Sequence, residues 1–255
     1  MATAINTDIV VVGSGPGGAT VARELSTRGR DVVLVEKGRE HQQVGSFLAF
    51  LRIMDKFAIF SRSREGVIID RAITLGGSTL VFNGNAFDPP KWLAQEFGID
   101  LAAEVKETRE ELGIKPLPDD FFGPGTERLR EAAGELGISL VPQSKFINPE
   151  RCDPHCDRCM LGCRKKAKWT ARNYVEETRR NGAQVLVSTE AREVIIEGGC
   201  AVGLRAVGPK GPLIINANKV VLSAGGMGTP VILQRSGLWE AGTHFFMDPM
   251  NVVLG

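Results

Sequence analysis

The chain is poor in aromatic side chains, at 6% of its 255 residues, and its 31 basic residues are balanced by 30 acidic ones. A nucleic-acid binder needs a basic surface with aromatics on which bases stack, so that class of partner is not expected. Long apolar runs are also missing. No stretch of about eighteen uncharged apolar residues occurs, so no membrane-spanning helix is expected. The first apolar run, Ile9 to Val12, leads straight into glycines, so no signal peptide is expected and the cytoplasm is the default location. Histidine is scarce: His41, His155 and His244 are the three. What the chain does have is glycine, 30 residues with three marked clusters, and five cysteines, four of them between positions 152 and 163. Its 43% hydrophobic content suits a soluble protein with a core for one large domain or two small ones.

The chain opens as strand, glycine turn, helix, strand: Asp8 to Val12, then Ala19 to Arg28 ending at Gly29, then Asp31 to Val35. The apolar segment Val44 to Phe60, interrupted by Arg52, Asp55 and Lys56, reads as a helix packed over a core or a cofactor; a surface meeting a membrane or a partner is the other reading. A brief strand at Val67 to Ile69 precedes the second glycine cluster, Gly76-Gly77. Residues 88–142 look helical with proline and glycine breaks. The tetrapeptide Glu-Leu-Gly-Ile at 111–114 and 135–138 is explained by two helices that each end at a glycine. After the cysteines comes a helix over Thr170 to Arg180. Strand-like runs at 184–187, 191–197, 201–207 and 212–216, with glycine turns between, predict a small antiparallel meander. A separate buried strand, Lys219 to Leu222, then enters the third cluster, Gly225-Gly226-Gly228, and a short helix to Gln234.

Gly13-Ser14-Gly15-Pro16-Gly17-Gly18 places glycines at the first, third and sixth positions of a turn between a strand and a helix. In that context the pattern predicts a dinucleotide site. Gly13 makes the tight turn, Gly15 lets backbone approach a pyrophosphate, and Gly18 lets helix and strand pack closely. The helix N-terminus offers free N–H groups and a partial positive charge to phosphate. Glu36, with Lys37 beside it at the end of the second strand, is placed to accept from the adenosine ribose hydroxyls. Its charge disfavours the 2′-phosphate of NADP.

Cys152, Cys156, Cys159 and Cys163 lie too close together for two comfortable disulfides in a reducing compartment. Spaced by three, two and three residues, they predict one metal centre. A 4Fe–4S cluster is the first reading, zinc in a four-cysteine site the alternative, and redox-active or unliganded thiols the third. Arg164-Lys165-Lys166 would moderate the negative charge of such a centre. Cys200 reads as a small turn or core residue.

The N-terminal fingerprint, a later meander, and a strand returning into Ser223-Ala224-Gly225-Gly226 resemble the layout of FAD-dependent oxidoreductases. Two motifs narrow the resemblance. Thr74-Leu75-Gly76-Gly77-Ser78-Thr79 with Asn83-Gly84-Asn85 is similar to the first signature of the glucose–methanol–choline (GMC) oxidoreductases. Gly225 through Thr229-Pro230-Val231-Ile232-Leu233 to Ser236-Gly237-Leu238 is similar to the second, and Asp248-Pro249 to the segment beyond it.

The resemblance implies an α/β fold: a three-layer, mostly parallel Rossmann-type FAD-binding domain with a small antiparallel meander and a cysteine-rich loop. Residues 1–87 and 170–255 would form that domain, 88–169 a helical insert carrying the cysteines, and the C-terminal substrate domain would be absent. FAD would contact Gly76, Gly77, Ser78 and Asn83 or Asn85, with Val194 meeting adenine through its backbone and Ala224 and Gly225 completing the site. A branch of the family also resembles the cysteine run followed by Ala167-Lys168-Trp169-Thr170. The activity implied is dehydrogenation of a small-molecule alcohol, with electrons passing from flavin through the cluster to an external acceptor. No histidine matches the family's catalytic position, so the base is expected from a second polypeptide that supplies the substrate domain, or from residues removed from this sequence. An electron-transfer subunit with no substrate of its own is the competing expectation.

Overall fold

The computed structural model describes residues 3–56, 61–156 and 158–245, so the end of the Val44–Phe60 segment and Asp248-Pro249 lie outside the described residues. The chain divides into two units.

The first unit comprises Met1–Glu40, Ile73–Gly77 and Ala171–Gly255. Its elements are β1 (Thr3–Val12), α1 (Pro16–Thr27), β2 (Val32–Val35), α2 (Arg172–Arg180), β3 (Gln184–Leu186), β4 (Glu190–Glu197), β5 (Cys200–Gly208), β6 (Gly211–Leu222) and α3 (Gly225–Arg235). The six strands form one sheet in the order β3-β2-β1-β6-β5-β4. Its β3-β2-β1-β6 part is parallel, and β5 and β4 continue it antiparallel. The expected α/β class is therefore observed, with two differences: the run at 184–187 is no part of the antiparallel meander but pairs parallel with β2 as β3, and the runs 212–216 and 219–222 are a single strand. β6 pairs with β5 over Gly211 to Asn216 and with β1 from Leu213 to Leu222, so it joins the two halves of the sheet.

Val10, Val11 and Val12 in β1 and Val32 to Val35 in β2 are all buried, as strands covered on both faces must be. Alternation sends Val10, Val12, Val33 and Val35 into a cluster with Leu204, Ile215 and Ile232. On the opposite face Val11, Val32 and Leu34 are fully buried. α1 and α2 pack together through Arg23, whose Nε donates to Glu177 Oε2 at 2.6 Å while its guanidinium lies over the Tyr174 ring at 4.3 Å.

The second unit comprises His41–Ala72 and Ser78–Thr170. It carries helices at Phe47–Ile53, Lys91–Phe97, Ala102–Leu112 and Pro124–Glu135. The two Glu-Leu-Gly-Ile segments end helices as expected: Gly113 caps one in the left-handed region at φ 62°, and Gly137 follows the other at φ 73°. A small ladder organises the rest. The Phe146 N–H donates to Gly84 O at 2.7 Å, and the Ala86 N–H to Ser144 O at 2.9 Å. On the other side, the Asn148 N–H donates to Ala167 O and the Trp169 N–H to Phe146 O, both at 2.9 Å. The segment 144–148 thus lies between 84–86 and 167–169, and the cysteine loop is the excursion between its last two strands. Among the described residues no helix is long and apolar enough to cross a membrane.

Candidate functional site

At the carboxyl ends of β1, β2 and β6 the sheet's hydrogen bonding runs on into the glycine motifs. The Gly13 N–H donates to Val35 O, the Ser223 N–H to Val12 O, and the Glu36 N–H to Leu186 O, each at 2.8 Å. The fingerprint, Glu36 and the third glycine cluster are therefore set side by side. The packing is tight enough to require glycine: a Cβ at Gly18 would overlap the Gly13 carbonyl oxygen, and one at Gly13 the Ser223 carbonyl.

Ser14 joins the remaining cluster to this group. Its Oγ donates to Glu36 Oε2 at 2.6 Å and receives the Gly76 N–H at 3.0 Å, all three groups being buried. Gly77 sits so close that an added Cβ would be 3.0 Å from the Gly15 Cα. Three motifs separated by more than sixty and two hundred positions in sequence thereby share one cradle.

The cradle has the features an anionic dinucleotide needs. α1 begins at Gly15 with no side-chain cap and no acidic residue in its first turn, so its N–H groups and dipole are open to an anion. A Cβ at Gly15 or Gly17 would meet nothing within 4 Å, which marks free space at that helix end. Glu36 is 7% exposed, and its carboxylate receives the Ser14 N–H at 3.0 Å, the Ser14 hydroxyl, and the Gly38 N–H at 2.6 Å. A carboxylate accepts about four hydrogen bonds, so a place for a ribose hydroxyl remains. The residues present fit FAD.

The other expected residues are placed as follows. Lys37 pairs with Glu190 at 3.3 Å. The Val194 N–H donates to Ser236 Oγ at 2.8 Å, which leaves Val194 only its carbonyl for a further partner and ties the meander to the second signature. The Ala224 N–H donates to Thr229 Oγ1 at 3.2 Å, and Gly225 turns into α3 at φ 77°. Ser78, Asn83 and Asn85 belong to the second unit, where Ser78 Oγ receives the Ala72 N–H at 3.2 Å and Asn85 Oδ1 accepts from Lys145 Nζ.

Sequence reasoning missed what holds the Gly76-Gly77 segment in place. Arg172, at the start of α2, donates from Nε to Leu75 O at 3.0 Å. Burial lowers its pKa, against the opposing pull of Glu40 and Glu176. From the other side, the Leu75 N–H and Thr74 hydroxyl both donate to Arg39 O, at 3.1 and 3.0 Å.

In the second unit all four clustered cysteines line one cavity of about 320 Å³, with Ile147 and Ala167 behind them and His155, Arg158, Arg164, Lys165 and Lys168 around them. All five cysteines of the chain are free thiols, and Cys200 is exposed. Burial raises the Cys152 pKa, and the other three thiols add to the rise. Burial also raises that of Cys159, where Lys168 pulls the other way. Among the described residues no three His, Cys, Asp or Glu side chains gather closely enough to hold a single metal ion. Neither the cluster nor the zinc alternative is therefore shown by the side-chain arrangement. Lys168, 3% exposed, donates to the carbonyls of Leu80 at 3.1 Å, Phe82 at 2.5 Å and Cys159 at 2.7 Å. Burial pushes its pKa down to about 8.

The family model for GMC oxidoreductase matches residues 7–247. The chain belongs to the GMC oxidoreductase family. What it carries of that family is the N-terminal FAD-binding domain, as its glycine motifs imply. A GMC-type oxidoreductase of Mycobacterium tuberculosis is 32% identical over 272 residues, covering 97% of this chain and 42% of the relative. A long-chain-alcohol oxidase of Arabidopsis thaliana is 25% identical over 277 residues, covering 98% of this chain and 37% of its own length. The crystal structure of pyridoxine 4-oxidase from Mesorbium loti shares the fold with a TM-score of 0.70 at 22% identity, over 91% of this chain and 52% of that one. This GMC chain thus spans about half or less of the length of these proteins. None of these matches speaks for a ferredoxin-like cluster in the cysteine cavity.

Proposed function

We propose that this chain is the FAD-binding part of a GMC dehydrogenase that oxidises an alcohol-type CH–OH donor and passes the electrons through a 4Fe–4S cluster in the cysteine cavity to an external acceptor. The observation that carries the flavin half is the Ser14 node, which gathers the fingerprint, Glu36 and the Gly76-Gly77 segment beside an uncapped helix N-terminus. Ser14, Gly15, Pro16, Gly17 and Gly18 would hold the pyrophosphate, and Glu36 the ribose. Gly76 and Gly77 would let backbone approach the flavin, with Ser78 and Asn83 or Asn85 as polar contacts, and Val194, Ala224 and Gly225 would complete the site.

Bound there, FAD supplies a two-electron acceptor for hydride from the carbinol carbon. The residues of this domain position and desolvate the cofactor; the hydroxyl proton needs a base. His41 and His155 belong to the second unit, and His244 is exposed beyond α3. The base and the substrate-side wall are therefore assigned to the part of the family's length that this chain does not span. The cluster half is supported by four free thiols that line one cavity.

The test is an anaerobic absorbance spectrum with FAD, iron, sulfide and zinc analysis of the same reconstituted sample. Flavin bands over a broad shoulder bleached by dithionite, with about four irons per chain, are expected. Protein that takes up no FAD overturns the reading, and FAD with zinc in place of iron removes the relay.

A further inference from the structure

The cysteine cavity is bordered by a buried ammonium whose three hydrogen bonds go to backbone carbonyls. Lys168 Nζ has three N–H donors, and three backbone carbonyls accept them: Leu80, Phe82 and Cys159. The side chain also lies over the Phe82 ring, with Nζ 4.9 Å from its centre. Carbonyl dipoles and a ring face solvate a cation, but they bring no opposite charge, and a buried charge is costly until one is near. Lys168 lines the same cavity as all four clustered cysteines.

Lys145 repeats the arrangement from the neighbouring strand. It is half-buried, donates to Asn85 Oδ1, and reaches Asn83 O at 3.4 Å. Ile147, two positions along the same extended segment and so on the same face, lines the cavity. Other cations around the cavity are spent differently: Lys165 Nζ pairs with Asp153 at 3.0 Å, and Arg164 Nε donates to Val44 O at 3.2 Å.

We propose that Lys168, assisted by Lys145, is the fixed countercharge of an anionic metal–thiolate centre in the cysteine cavity and sets how readily that centre accepts an electron. The inference rests on the cluster reading above and goes beyond it by assigning what tunes the centre. Four thiolates around a core of charge about +2 leave a net charge of about −2. Lys168, bonded to Cys159 O, and Lys145 on the adjoining strand bring that closer to neutral. Reduction adds one electron and no proton, so the reduced state depends more on these cations than the oxidised state does. Lys168 is a positioning and tuning residue: its three donors also fasten the Cys159 turn to the Leu80–Phe82 segment of the first GMC signature.

The experiment is an anaerobic redox titration, followed by electron paramagnetic resonance and absorbance, of FAD-loaded wild type, Lys168→Met, Lys168→Arg and Lys145→Met, each with iron analysis. Both methionine variants are expected to titrate at potentials more negative than wild type, Lys168→Met by the larger shift, while Lys168→Arg stays near wild type. Methionine variants with full iron and an unchanged potential overturn the proposal, as does an arginine variant that shifts as far as methionine. Should Lys168→Met lose its iron, Lys145→Met decides, because it leaves the three carbonyl bonds intact. Wild-type protein without iron overturns the cluster reading itself, a result distinct from either of these.

Discussion

Ser14 Oγ stands 2.6 Å from Glu36 Oε2, and this buried pair is the joint on which the cradle is built. A fingerprint glycine loop is usually argued from its glycines, yet here it is the one hydroxyl in the loop that reaches both the acidic residue after β2 and the distant Gly76. Preorganisation follows, since Glu36 is oriented before any nucleotide arrives.

Ser14→Ala is therefore expected to cost about 1–3 kcal/mol, because the Gly76 N–H loses its acceptor and Glu36 one of its donors in a dry site. Urea unfolding of the flavin-free protein measures this. An alanine variant as stable as wild type would show that the node is not needed to hold the two segments together.

Adjacent glycines should fail in different ways. Gly17→Ala puts a methyl group into open space at the helix end, so the fold is expected to stay intact while FAD affinity falls at least tenfold. Gly18→Ala drives a methyl into the Gly13 carbonyl and should lower stability by more than about 3 kcal/mol. Thermal melts beside fluorescence titration with FAD separate the two; a Gly17→Ala protein that binds FAD normally would place the phosphates elsewhere.

Arg172→Met should loosen Thr74 to Gly77 without unfolding α2, whose contacts with α1 rest on Arg23, Tyr174 and Glu177. The expected outcome is unchanged helical circular dichroism with FAD binding weakened about tenfold, worth about 1.4 kcal/mol. Equal FAD affinity in the two proteins would show that Arg39 alone suffices.

Among the cysteines, Cys159→Ser is expected to abolish stoichiometric iron, and Cys200→Ser to leave it unchanged, since Cys200 is exposed in the meander and lines no part of the cavity. Alkylation kinetics offer a second check: in the reconstituted protein Cys200 should react first and the other four only after the metal is removed.

The βαβ opening and the three glycine clusters were legible in sequence because their rules are local: a valine run buried on both faces, a glycine turn, an acidic residue at the next strand end. The unity of β6 was hidden by Asn216-Ala217-Asn218, which reads as a polar break. In the sheet the two asparagines are exposed and pair across strands, Asn216 Nδ2 with Asn6 Oδ1 at 2.8 Å and Asn218 Nδ2 with Asp8 Oδ1 at 3.4 Å, while Ala217 between them is buried. Their partners lie 210 positions away, where no local pattern points. Lys168 was hidden for a similar reason. A lone lysine after a basic run reads as surface, and only the ladder between 144–148 and 167–169 turns it inward.

That ladder has an evolutionary corollary. The cysteine loop leaves from Asn148 and returns at Ala167, two positions already joined by a backbone hydrogen bond. The ends of the excursion are thus closed by the scaffold, so its length and chemistry can change without reopening the frame on either side. A loop mounted in this way is an exchangeable cassette, whose residues can be replaced without rebuilding the strands on either side.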